Sequence, residues 1–255
     1  SALPGSLPAL VETLQGLAVH IFWAERLGLK LDEARQSEVN LRATWQKLDR
    51  LLELDPAPLT QPRPLERQLV CNCRDFTVLI VSFLRSQGIP ARSRCGFGTY
   101  FMPNHYEDHW VAEAWNTGEQ RWQMADAQLT AFMRQVLKID FDVLDMPGGK
   151  FVTAGEAWQM CRRGEANPDA FGIFQWHGWN FIRGNVVRDL LSLNGIEILP
   201  WDFWAFNQPE IEQAAPETWA EIDQIAGLLV DADERFDDLR GFYQEHPLYH
   251  APFFG

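Results

Sequence analysis

The chain predicts an α+β fold, on three observations. A fourteen-residue apolar stretch, Arg74 to Gln87, is too long for a typical strand and stops at Gly88. Three short strand-like segments follow it directly, and helical periodicity flanks both.

From Leu7 to Leu27 apolar residues recur at helical spacing (Leu10, Leu14, Leu17, Val19, Phe22, Leu27), and a second amphipathic segment runs from about Glu38 to Leu54. Both read as packing helices. Between Asp55 and Pro64 four prolines forbid a helix and favour an extended crossing, which marks the expected boundary between an N-terminal helical segment, 1–60, and a core, 61–140. The β-branched residues of 74–87 argue for a strand, but the length and the glycine stop, with Pro90 just beyond, argue for a buried helix. After it, Ala91 to Phe101, His109 to Asn116 and Arg121 to Gln128 read as strands, separated by Pro103-Asn104 and Thr117-Gly118. Beyond Leu129 the pattern is mainly helical, at about Ala154 to Arg163, Ile182 to Asn194 and Pro216 to Gln244. The stretch 141–255 is therefore expected as a helical C-terminal extension.

With 255 residues, 46% apolar and 22% charged, the composition is that of a soluble globular protein, and no run reaches the roughly 20 apolar residues of a spanning helix. No membrane partner is expected. Ser1 to Leu14 lacks a basic segment followed by an apolar one, so no secretory signal is expected there. A net charge of -13 repels phosphate backbones and argues against nucleic acid as a partner. The acidic stretch Asp231, Asp233, Glu234, Asp237, Asp238 lacks the turn glycine of a calcium loop and reads as a solvated helix face. Four cysteines do not make a disulfide framework, and a reducing cytoplasm is the expected setting.

Cys73 stands at the predicted start of the buried helix. There the helix dipole and the open backbone N–H groups stabilise a thiolate and, in the next step, an oxyanion. Arg74 assists, Asp75 opposes unless it caps the helix, and the thiolate needs a base with a fixed tautomer. His109 and Asp126 fit those two parts. If the last two strands join through a two-residue turn at Thr117-Gly118, Asn116 faces Glu119 and His109 faces Asp126 on one side of the sheet. A four-residue loop keeps this register, whereas a three-residue loop with a bulge shifts it.

Cys73-Arg74-Asp75-Phe76, Gly88-Ile89-Pro90-Ala91-Arg92, Gly96-Phe97, His109-Trp110-Val111 and Trp122 to Asp126 together resemble the transglutaminase-like superfamily, over roughly Leu69 to Leu129. The resemblance implies a papain-like core, its cysteine-bearing helix packed on an antiparallel sheet, with a Cys73–His109–Asp126 triad and acyl transfer through a thioester. Ala127-Gln128 departs from the small pair, such as Pro-Thr, often found after that aspartate. Hydrolysis of an amide or peptide bond is the favoured activity. Transfer to an amine, protein cross-linking, and a binding or scaffold protein that keeps the fold without the reaction are the alternatives. Neither cofactor nor metal is called for.

Zinc held by Cys71, Cys73, His105 and His109 is disfavoured because Cys-x-Cys is tighter than usual ligand spacing. Cys71 reads as structural, His20 as a helix-face residue, Glu107 and Asp108 as a surface turn, and His246 and His250 as part of a tail. The aromatic segment Phe174 to Arg183 reads first as a packing layer. As a second reading, Trp176, His177 and Arg183 line the substrate cleft.

Overall fold

The computed structural model describes residues 3–196, 198–204 and 216–254. They form two units, Ser1–Ser93 with Val111–Met146 and Arg94–Trp110 with Pro147–Gly255.

In the first unit the order is α1 (Leu7–Gln15), β1 (Ala18–His20), α2 (Ile21–Ala24), α3 (Glu33–Gln36), α4 (Thr44–Leu54), β2 (Leu69–Cys71) and α5 (Cys73–Ser86). The start of β3 (Ala91–Gly98), the later half of β4 (Tyr106–Asn116), β5 (Arg121–Ala125) and α6 (Ala131–Leu137) complete it. Helix α5 is the segment whose length outweighed its β-branched content. It is buried on nearly every side, with Leu79, Ile80, Phe83 and Leu84 meeting Leu10 and Leu14 of α1 and Ala112, Ala114 and Ala125 of the strands. Gly88 ends it at φ 75, a left-handed conformation that glycine takes without a Cβ penalty. The Ile89 and Gly88 N–H groups then close back on the Leu84 and Arg85 carbonyls, both at 3.0 Å.

Two expectations at the N-terminus are corrected. The helix predicted from Leu7 to Leu27 stops at Gln15, and Ala18–His20 instead forms β1, parallel to β2 with Ala18 level with Leu69 and His20 with Cys71. Gly16 carries the break: its carbonyl accepts the Arg63 N–H and its Cα faces Pro62, so the proline segment takes over where helix bonds would continue. That segment lies inside the first unit, and Arg63 is buried there with its guanidinium on the carbonyls of Leu51, Asp55 and Ala57. The second helix begins at Thr44, preceded by a 3₁₀ turn at Ser37–Asn40.

The β4–β5 register also differs. Asn116 pairs with Arg121, not Glu119, because the four-residue loop, 117–120, is centred one residue beyond Thr117-Gly118 and so does not keep the expected register. The Asn116 carboxamide oxygen accepts the N–H groups of Gly118 and Glu119, and Gln120 turns left-handed at φ 54. Continued past Ala112–Ala125, this register sets Val111 across from Asp126, two residues along β4 from the expected position.

In the second unit the strands follow the order β6-β3-β4-β7-β8, with β6 (Phe151–Thr153), β7 (Phe171–Ile173) and β8 (Trp176–His177). These three short strands are absent from the sequence expectation, which reads the region as mainly helical. A Cβ on Gly96 would stand 2.3 Å from the Val152 carbonyl, so the β3–β6 pair closes only over glycine. Helices α7 (Ala154–Arg162), α8 (Trp179–Leu193) and α9 (Pro216–Val230) pack against this sheet's core, and α10 (Phe236–Glu245) follows. The helix predicted over Pro216 to Gln244 is broken by a turn at 231–235, so Asp231, Asp233 and Glu234 are turn residues and only Asp237 and Asp238 lie on a helix.

Asp189 of α8 is fully buried and accepts two N–H groups of the Arg94 guanidinium, at 2.9 to 3.2 Å, and the Cys95 backbone N–H at 2.8 Å. Asp189→Ala should lower stability in urea unfolding by about 3–5 kcal/mol, because it removes the acceptor from a buried cation and a buried amide together.

Candidate active site

Asn72 sets the geometry around Cys73. It leaves β2 in an extended conformation, its carboxamide oxygen accepts the Asp75 N–H, and the Asp75 carboxylate returns a bond to the Asn72 N–H, each at 3.0 Å. This reciprocal cap fixes the first turn of α5, and Cys73 is its first residue. The first N–H groups of an α-helix find no acceptor within the helix itself. The Asn72 amide nitrogen is buried and has no hydrogen-bond acceptor among the described residues.

Asp75 is fully enclosed and pairs with two cations, Lys47 and Arg74, both at 3.1 Å. Burial pushes the Lys47 ammonium down, while the Asp75 charge and hydrogen bond pull it back up. The sequence offers Asp75 as a cap, but nothing in it marks Lys47, which lies 28 residues upstream on α4.

The four cysteines are not equivalent, and none is in a disulfide. Cys73 is partly exposed, whereas Cys71, Cys95 and Cys161 are buried. Burial raises the Cys71 thiol well above its ordinary range, with the Asp75 charge adding to the effect, and it pushes Cys161 up to about 11.

Asp126 follows β5 in the first unit. It is 1% exposed, with its N–H on the Val143 carbonyl at 2.8 Å and one carboxylate oxygen accepting the Gln128 N–H at 3.1 Å. The Gln128 backbone N–H thus closes the turn after Asp126.

His109 lies in β4, in the second unit, and is buried among aromatic rings: Phe101 at 4.9 Å, Tyr100 at 6.0 Å and Phe151 at 6.4 Å, all edge-on. The residue before it points to the opposite face. Asp108 accepts the Asn185 amide at 2.7 Å, Asn185 in turn accepts Arg188 at 2.9 Å, and burial raises the Asp108 carboxyl against the pull of Arg188 and Asn185. Glu107 pairs with His105 at 3.0 Å and is likewise raised by burial. Both acids are strand residues, not the surface turn read from sequence.

A cavity of about 710 Å³ opens in the second unit, and Phe151, which faces the His109 ring, is in its wall together with His105, Tyr106, Glu156 and Met160. Trp176 and His177 sit on β8, exposed, after a tight turn at Phe174 (φ 52). Arg183 is buried on α8 and interacts with Tyr249, so its guanidinium is not on the surface that Trp176 and His177 present. Trp179 and Phe181 of the same segment do pack inward, on Trp158 and Trp219 and on Phe97.

His20 is not on a helix face. It ends β1, is buried, and lies nearly parallel to the Phe76 ring of α5. Among the described residues no group of three or more His, Cys, Asp or Glu is placed to hold a metal ion, and no helix is long and apolar enough to cross a membrane.

Comparison with protein families matches residues 52–127 to the core of the transglutaminase-like superfamily. The matched span includes Cys73, His109 and Asp126. Proteins of this superfamily are generally cysteine-dependent enzymes, and some members are inactive. No curated protein and no solved structure matches the chain.

Burial separates the thiols enough to predict their reactivity. In the native protein at neutral pH, iodoacetamide should alkylate Cys73 alone, and all four cysteines should react after denaturation, as read by peptide mass spectrometry. Fast native alkylation of Cys71 or Cys161 would contradict the burial-raised thiols described above.

Proposed function

We propose that this chain, whose residues 52–127 belong to the transglutaminase-like superfamily, is a cysteine-dependent acyl-transfer enzyme that hydrolyses an amide or peptide bond. The observation that carries the reading is the contrast among the thiols. Three are buried, and the fourth is partly exposed at the capped N-terminus of a 14-residue helix, where backbone dipoles favour negative charge.

The roles follow from the chemistry of each group. Cys73 is the nucleophile and His109 takes its proton, later giving it to the leaving amine; Asp126 orients the imidazole and stabilises its charged form. The thiolate adds to the carbonyl carbon, the C–N bond breaks, a thioester remains on Cys73, and water releases the acid. Aromatic enclosure of His109 supports this assignment, since it holds the ring in one orientation and excludes water around it. The cavity bordered by Phe151 supports an acyl substrate with both apolar and polar parts, and Trp176 and His177 are proposed as outer contacts for it. Neither cofactor nor metal takes part in these steps, and four cysteines outside disulfides suit a reducing cytoplasm.

Cys73→Ala should abolish labelling by iodoacetamide at about pH 6, where an ordinary thiol of pKa about 8.5 is almost wholly protonated. His109→Asn should slow that labelling strongly and move its midpoint toward the ordinary thiol value. Labelling of wild type that rises only near pH 8.5, or that survives in Cys73→Ala, would sink the reading.

A further inference from the structure

Parallel strands β1 and β2 end side by side, and each runs straight into a helix, β1 into α2 and β2 through Asn72 into α5. Strand alternation sorts their side chains. Val19 and Val70 belong to one core cluster, while Ala18, Leu69 and Cys71 belong to another with Phe76 and Leu79 of α5. His20, level with Cys71, therefore faces α5, and as the last residue of its strand it stands at the height of the helix's first turn. Its ring lies 6.3 Å from that of Phe76, with 18° between their planes. Phe76 is three residues after Cys73, and residues at that spacing are neighbours on a helix surface. The imidazole thus stacks on Phe76, three residues along α5 from Cys73.

Its tautomer is set as well. The Phe22 N–H donates to His20 Nδ1 at 3.2 Å, so Nδ1 holds a lone pair and the ring proton of the neutral imidazole is on Nε2. A second observation lies at the same end of the strand pair. The Asn72 amide nitrogen is buried with no acceptor among the described residues, a condition that costs free energy.

We propose that His20 is a further catalytic residue, whose Nε2–H donates to the carbonyl oxygen of the acyl substrate and to the oxyanion formed when the Cys73 thiolate adds. This rests on the acyl-transfer reading given above. As the sulfur–carbon bond forms, the carbonyl π pair moves onto oxygen, and His20 stabilises that charge while keeping its own proton. When the pair returns, the C–N bond breaks and the amine leaves with a proton from His109. His20 is thus a donor throughout, and its Nδ1, already bound to the Phe22 N–H, takes no proton during the cycle.

Acylation and alkylation of the same sulfur separate this role from a structural one, because alkylation by iodoacetamide creates no oxyanion. The full chain is to be acylated with p-nitrophenyl acetate, following p-nitrophenol release and the mass of the Cys73 peptide, and alkylated in parallel. His20→Phe keeps a ring against Phe76 but has no donor, and His20→Gln restores an N–H at similar reach. Acylation should fall about 10²–10³-fold in His20→Phe and recover in part in His20→Gln, with alkylation rates near wild type in both. Equal acylation in wild type and His20→Phe would overturn the role of His20 while leaving Cys73 as nucleophile. A parallel loss of acylation and alkylation in both variants would also overturn it, because His20 would then act on the sulfur or the fold. Undiminished ester acylation in Cys73→Ala would instead overturn the proposed function itself.

Discussion

The enclosed carboxylate of Asp75 is the constraint on which the first unit depends. It receives the Asn72 N–H and two cations, Lys47 and Arg74, and those cations spend their other N–H groups on the carbonyls of Leu41 and Arg42. A buried charge of this kind is costly unless it is paired and hydrogen-bonded, as Asp75 is. That condition ties the start of α5 to α4 and to the loop preceding it. Cys73, between Asn72 and Arg74, inherits this rigidity.

In the second unit one strand reads differently on its two faces. His109 meets the rings of Phe101, Tyr100 and Phe151, while Asp108 meets the polar chain of Asn185 and Arg188 on α8. The first face sets the orientation of the imidazole and the second sets the height of the strand. Neither alone would hold the ring, since apolar packing permits sliding and a single hydrogen bond permits rotation.

Much of this was legible in the sequence, and the parts that were not share a physical cause. Helix α5 announced itself through length and a glycine stop, and strands β3 to β5 through turn residues, because those signals are local. The short strands β1, β2, β6, β7 and β8, none longer than three residues, exist only because a partner strand supplies their hydrogen bonds, and no window of sequence contains that partner. The β4–β5 register slipped by two because Asn116 bonds to its own loop, a side-chain choice that strand patterning does not reveal. At the candidate site, Cys73, His109 and Asp126 are proposed from residue type and order, and all three lie within the matched span 52–127. His20 and Lys47 could not be picked out in that way: one is distant along the chain from the helix it faces, and the other is an ordinary lysine on an amphipathic helix until its burial is known.

The path of the chain through β3 and β4 has a last consequence. Each of these strands begins in one unit and ends in the other, so neither unit is a continuous stretch of polypeptide. During synthesis the stretch up to Ser93 holds the cysteine-bearing helix but not the strands that cover it, and its unit is complete only once Met146 has been made. Formation of the thiol's environment is thereby tied to a late moment of translation.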